Sequence, residues 1–211
     1  MKPLKSSARR TFILILCVFA LPLCLAWAYY HLHEHFSNRT TNYGYLISPP
    51  ISLNTLKIKS LSGQIIANPL TTLRTTGDQG SALIGKWLMF TLSPGSCGQA
   101  CQKTLYNMRQ IRIATNADQN RVARALLSFS NANAETKMLN EKYAGTLNLQ
   151  LNAQSFKSIV ARSLKLNYAS TEGTLYIADP FGNIILVYAP GADPEKILND
   201  LHHLLQVSQI G

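Results

Sequence analysis

The sequence has 211 residues, 46% of them apolar and only 14% charged, with a net charge of +10, which suits one domain with appendages. Four of the 20 basic residues, Lys2, Lys5, Arg9 and Arg10, precede the first apolar run, leaving 16 basic against 10 acidic residues. This moderate excess forms no Lys/Arg block with interleaved aromatics; it argues against nucleic-acid binding and is compatible with an anionic membrane surface or an acidic partner.

Residues 1–10 form a basic tail, and Thr11 to Tyr30 carry no charge and are long enough to cross a bilayer. The basic residues place the N-terminus in the cytoplasm, and Trp27, Tyr29 and Tyr30 suit the far interface. Ala26-Trp27-Ala28 also reads as a small-x-small cleavage site, but the apolar stretch exceeds a usual signal core, which favours an uncleaved anchor. Either reading exports the remainder; in a bacterial cell that is an inner-membrane protein with a periplasmic C-terminal domain, where disulfides persist. Of the four cysteines, Cys17 and Cys24 lie inside the apolar run, so the exported part has no small-domain disulfide framework.

Residues 31–50 read as a linker. His31, His33 and His35 would converge on a metal only in an extended segment; an interfacial stem is the simpler reading. Ser48-Pro49-Pro50 cannot continue a helix. From 51 to 211 the chain reads as a single exported domain. Leu56–Lys59 and Gln64–Ala67 flank Ser62-Gly63 as a short hairpin. Trp87, Leu88, Met89, Phe90 and Leu92 mark a buried strand ended by Pro94-Gly95. Beyond it Leu105, Met108 and Ile111 fall at helical spacing, and Cys97 and Cys101 are expected on one face of that helix, one turn apart. At a helix N-terminus thiol pKa values fall, so the pair is suited to a soft metal or to making and breaking a disulfide. The bland alternative is a permanent local clamp.

Val122 to Ser130 is a second central strand, Glu135 to Tyr143 a helix, and Leu147 to Leu151 an alternating strand. Phe156 to Leu166 is an amphipathic helix. Leu175–Ala178 and Ile184–Tyr188 are strands joined by Asp179-Pro180-Phe181-Gly182, a structural turn. Asp193, Pro194 and Glu195 open the last helix as N-cap, first position and first turn. His202 and His203 on that helix have no evident partner. This order is α/β and thioredoxin-like: a central sheet flanked by helices, preceded by one N-terminal transmembrane helix, with the cysteines at the carboxyl end of the first core strand. No nucleophile elbow, phosphate loop or metal-protease helix pair is present.

Gly85-Lys86-Trp87, the apolar strand, Cys97-x3-Cys101 and Tyr176-Ile177-Ala178-Asp179-Pro180-Phe181-Gly182 resemble the Sco/SenC copper chaperones, single-pass thioredoxin-fold assembly factors for cytochrome c oxidase. The resemblance runs roughly from Tyr43 to Leu205. Leu105 to Arg112 and the Ser208-Gln209-Ile210-Gly211 ending are similar to a Sco-related group of small bacterial membrane proteins associated with oxidase gene clusters. The resemblance implies Cys97 and Cys101 as Cu(I) ligands or exchange-active thiols, and an oxidase subunit or assembly factor as partner. Two positions depart from the pattern. Gln102 stands where those chaperones have proline, and Thr171 stands at their distal histidine. Two thiolates still suit Cu(I), whereas Cu(II) wants nitrogen ligands. Glu172 lies nearest the missing histidine's place. An alternative function is a non-catalytic module of the same fold, docking on an oxidase or its assembly machinery.

Overall fold

The computed structural model describes residues 6–36, 42–56, 58–60, 65–66, 83, 85–93, 95–129, 138–139, 141–152, 154 and 172–208. The chain divides into two units, Met1–Thr41 and Asn42–Gly211. The first contains helix α1 (Ser6–Phe36), within which Arg9–Tyr29 is long and apolar enough to cross a membrane. Its backbone is helical through His31, His33 and His35, so the extended geometry that alternate histidine ligands require is not formed.

Among its described residues, the second unit is built on one mixed sheet of eight strands. They are β1 (Tyr45–Ser52), β2 (Ile58–Ser60), β3 (Ile65–Ile66), β4 (Trp87–Ser93), β5 (Val122–Ser128), β6 (Leu147–Leu151), β7 (Leu175–Ala178) and β8 (Asn183–Tyr188). Their order across the sheet is β1-β8-β7-β4-β5-β6-β2-β3. Strands β4, β5 and β6 run parallel, which requires crossovers, while β7 and β8 form an antiparallel hairpin against the other side of β4. The central position explains the largely apolar sequence of β4, every residue of which is buried.

Alternation along β4 divides the core. Leu88, Phe90 and Leu92 join one cluster with Ala125, Leu127 and Tyr176; Phe90 stacks on Tyr176 with ring centroids 5.0 Å apart. Trp87 and Met89 join the other cluster, where helix α2 (Gln99–Ala114) and helix α3 (Pro194–Val207) lay down Leu105, Met108, Ile111, Ile197, Leu201 and Leu205. Helix α3 starts as its sequence dictates: Asp193 Oδ1 accepts the Glu195 N–H at 3.0 Å, with Pro194 in the first turn.

Strand β1 begins within the 31–50 stretch that the sequence assigns to a linker and runs on to Ser52. Its Pro49 and Pro50 are compatible with a strand because β1 is at the sheet edge, paired among the described residues only with β8, with the register shifting between Leu46 and Ile51. The expected strand over Val122–Ser130 ends at Ser128. The helix expected over Glu135–Tyr143 is described only at 138–139 and 141–143, helical except at Tyr143, which is in a turn, and that over Phe156–Leu166 lies outside the described residues.

Candidate functional site

The turn after β4 is closed by Ser93, whose hydroxyl donates to the Gly95 carbonyl at 3.0 Å. Gly98 is extended, with φ −71° and ψ −162°, and serves as N-cap of α2. Helix α2 therefore begins at Gln99, and Cys97 precedes it. This corrects the expectation that both cysteines lie on one helical face: only Cys101 is helical. The extended Gly98 still folds Cys97 back, leaving the two Cα atoms 5.2 Å apart, and the sulfurs are joined in a disulfide.

Cys101 is fully buried, whereas Cys97 retains 4% exposure and follows the exposed Gly95 and Ser96. Cys97 is thus the less completely buried of the two residues. Gln102, at the position where the copper chaperones have proline, contributes two contacts. Its backbone N–H donates to the Gly98 carbonyl at 3.0 Å, which a proline could not do, and its Nε2 donates to the Cys97 carbonyl at 3.1 Å. Lys142 Nζ donates in turn to Gln102 Oε1 at 3.0 Å.

The open end of α2 is filled from far along the chain. Gly98 has no side chain to cap the helix, and the Cys101 N–H donates instead to Glu172 Oε1 at 3.1 Å. The helix terminus expected to favour a thiolate is thereby already faced by a carboxylate. Glu172 belongs to the loop entering β7, and that loop is pinned at two further points. Thr104 Oγ1 donates to the Gly173 carbonyl at 2.8 Å, and Thr91 Oγ1 donates to the Thr174 carbonyl at 2.8 Å. Gly173, at φ +85°, approaches so closely that a Cβ would lie 3.0 Å from the Ala100 carbonyl oxygen.

Among the described residues, no group of three or more His, Cys, Asp or Glu side chains could hold a metal ion. After reduction Cys97 and Cys101 would supply two soft donors on neighbouring Cα atoms, a set that fits Cu(I) and lacks the nitrogen ligands of a Cu(II) site. His202 is half-buried and His203 exposed on α3, and no side-chain hydrogen bond or ion pair links either to another described residue. Asp179 works as a turn device: Oδ1 accepts the N–H groups of Phe181 and Asn183 at 2.9 and 2.8 Å, and Oδ2 accepts Asn183 Nδ2 at 3.0 Å. Trp87 packs in the core. The roles of Thr91, Thr104 and Glu172 were not readable from local pattern; only the nearness of Glu172 to the missing histidine's place pointed toward it.

The family model described as "Transmembrane-like, thioredoxin-like, C-terminal domain" matches residues 87–208. No curated protein matches the sequence. Among solved structures, Arabidopsis thaliana ScoI with copper bound is 14% identical and superposes with a TM-score of 0.52, over 77% of this chain and 99% of that one. Yeast Sco1 with copper bound is 12% identical with a TM-score of 0.52, covering 81% and 96%. BsSco, described as a member of the Sco family of cytochrome c oxidase assembly proteins with a disulfide switch, is 15% identical with a TM-score of 0.50, covering 80% and 98%. At these identities the likeness shows the fold: a thioredoxin-like sheet and its flanking helices.

Proposed function

The chain belongs to the transmembrane-like, thioredoxin-like C-terminal domain family, and on that premise we propose that it is a membrane-anchored thiol–disulfide or Cu(I)-handling protein serving cytochrome c oxidase assembly. In this reading α1 anchors the chain in the bacterial inner membrane, with the basic N-terminus cytoplasmic and the sheet domain periplasmic. The observation that carries the reading is the Cys97–Cys101 disulfide at the start of α2, with Cys97 the less completely buried of the two.

In the exchange branch, the Cys97 thiolate attacks a partner's disulfide, forming a Cys97–partner bond and releasing one partner thiolate. The Cys101 thiolate then attacks the Cys97 sulfur, closing the internal disulfide and releasing the second partner thiolate. Two electrons pass to the partner, whose two thiolates take up two protons. The copper-ligand cysteines of an oxidase subunit are the proposed acceptor. In the copper branch the same two thiolates hold Cu(I) as cargo.

The full-length chain in detergent, equilibrated with glutathione buffers and trapped by thiol alkylation, tests the first branch. A reversible midpoint supports it; a pair that never equilibrates rejects it. Cu(I) titration under reducing conditions tests the second, and equal uptake by a Cys97→Ser/Cys101→Ser variant rejects it. A non-catalytic docking module is the second reading, favoured by the near-complete burial of both sulfurs. Failure of both titrations would leave it standing.

A further inference from the structure

We propose that Glu172 is a positioning residue that biases the Cys97–Cys101 pair toward its disulfide, making the reduced pair a stronger electron donor; this rests on the exchange reading above. A helix N-terminus has a small number of unsatisfied N–H groups and a partial positive charge. In α2 the N-cap residue is Gly98, which offers no side-chain acceptor, and the Cys101 N–H is held by Glu172 Oε1 at 3.1 Å. The carboxylate is pressed against the backbone between the two cysteines. A Cβ on Gly98 would lie 2.8 Å from Oε1 and 3.1 Å from Oε2. The carbonyls of Gly173 and Thr174, which follow Glu172, are tied to Thr104 on α2 and Thr91 on β4, so the chain leaving Glu172 is fixed to both elements. Among the described residues no Lys or Arg forms an ion pair with it.

The two redox states respond differently to this carboxylate. The disulfide is neutral, and beside it the negative charge of Glu172 is stabilised by the helix terminus. Reduction adds two electrons and two protons to the sulfurs, and any thiolate formed there must share the same N–H groups and face a like charge. Glu172 thus opposes the state that the helix terminus would otherwise favour. The pair is reduced less readily, and once reduced it passes its electrons on more readily.

The test measures the reduced fraction of the full-length chain in detergent against dithiothreitol couples and, separately, against glutathione couples. Wild type is compared with Glu172→Gln, which keeps the shape and a hydrogen-bond acceptor but removes the charge, and with Glu172→Asp, which keeps the charge. In Glu172→Gln the equilibrium should move at least tenfold toward the dithiol, about 30 mV for a two-electron couple. Glu172→Asp should stay nearer wild type than Glu172→Gln. Equal equilibria for wild type and Glu172→Gln in dithiothreitol, or equal displacement of both variants, overturn the inference. A tenfold shift in dithiothreitol together with no equilibration in glutathione upholds Glu172's role and rejects the physiological exchange reading instead.

Discussion

The Tyr188 hydroxyl donates to Asp200 Oδ2 at 2.8 Å, joining the end of β8 to α3 through a carboxylate that is itself buried. The same carboxylate accepts the N–H groups of Tyr43 and Gly44 at 3.1 and 2.9 Å, so it also fixes the chain's entry into β1. Gly44 is required there, since a Cβ would lie 2.6 Å from the Tyr188 ring. Hydrogen bonds to a charged group contribute more than neutral ones, and removing the acceptor leaves buried donors unmade. Asp200→Ala should therefore destabilise the sheet domain by more than about 3 kcal/mol in urea unfolding, with less loss for Asp200→Asn. A loss under about 1 kcal/mol would contradict this accounting.

Alkaline pH should probe the same pair. Burial first, then the hydrogen bond to Asp200 and its negative charge, push the Tyr188 phenol far above its ordinary value. A raised pKa in the folded state means the fold retains a proton that the unfolded chain releases. The stabilisation is therefore complete below the ordinary value near 10 and is lost as pH rises beyond it. The stability difference between wild type and Tyr188→Phe should shrink by up to about 1.4 kcal/mol per pH unit above about pH 10. A difference independent of pH would contradict it.

Breaking the disulfide should cost little. With a sequence separation of only 4, the loop that Cys97 and Cys101 close is short, and chain entropy then contributes roughly 2 kcal/mol. Cys97→Ala/Cys101→Ala should lower stability by about that amount and still unfold cooperatively. A loss above about 4 kcal/mol would mean that the bridge is chiefly a structural clamp.

Gly98→Ala should act through Glu172. The new Cβ would meet the carboxylate oxygens, which end a flexible side chain and can move aside. The substitution should raise the readiness of reduction as Glu172→Gln does, and the two changes together should add little beyond either alone. Gly173→Ala should instead cost stability, because its φ of +85° and the Ala100 backbone leave a side chain no relief. Additive effects of Gly98→Ala and Glu172→Gln on the redox equilibrium would show that they work independently.

Arg124 on β5 should be replaceable. It is buried with one hydrogen bond, Nη2 to the Ala144 carbonyl at 2.9 Å, while its Nε and Nη1 have no partner among the described residues. Burial, then the positive charges of Arg112 and Arg109, lower its pKa to about 10. A buried cation without an anion can be exchanged for an apolar chain of similar length at little loss or with a gain. Arg124→Met should lie within about 1 kcal/mol of wild type or above it at neutral pH. Any gain should shrink as pH rises past about 10, where the folded arginine sheds its charge. A loss of several kcal/mol would contradict this.

The elements that the sequence specified by itself are those with strong local patterns. The charge-free run of α1, the largely apolar β4, the 3.6-residue spacing of α2 and the Asp193-Pro194 start of α3 each follow from neighbours within a few residues. The cysteine spacing likewise restricted the pair to bridging range. Tertiary structure alone decided that Cys97 stands outside the helix, that Pro-containing β1 closes a sheet edge, and that Asp200 ties three segments together. It also brought Glu172 to the N–H of Cys101, 71 residues earlier. The physical reason is that a side chain's partner across a mixed sheet is set by how crossovers and hairpins stack, and no periodicity in the intervening residues encodes that meeting.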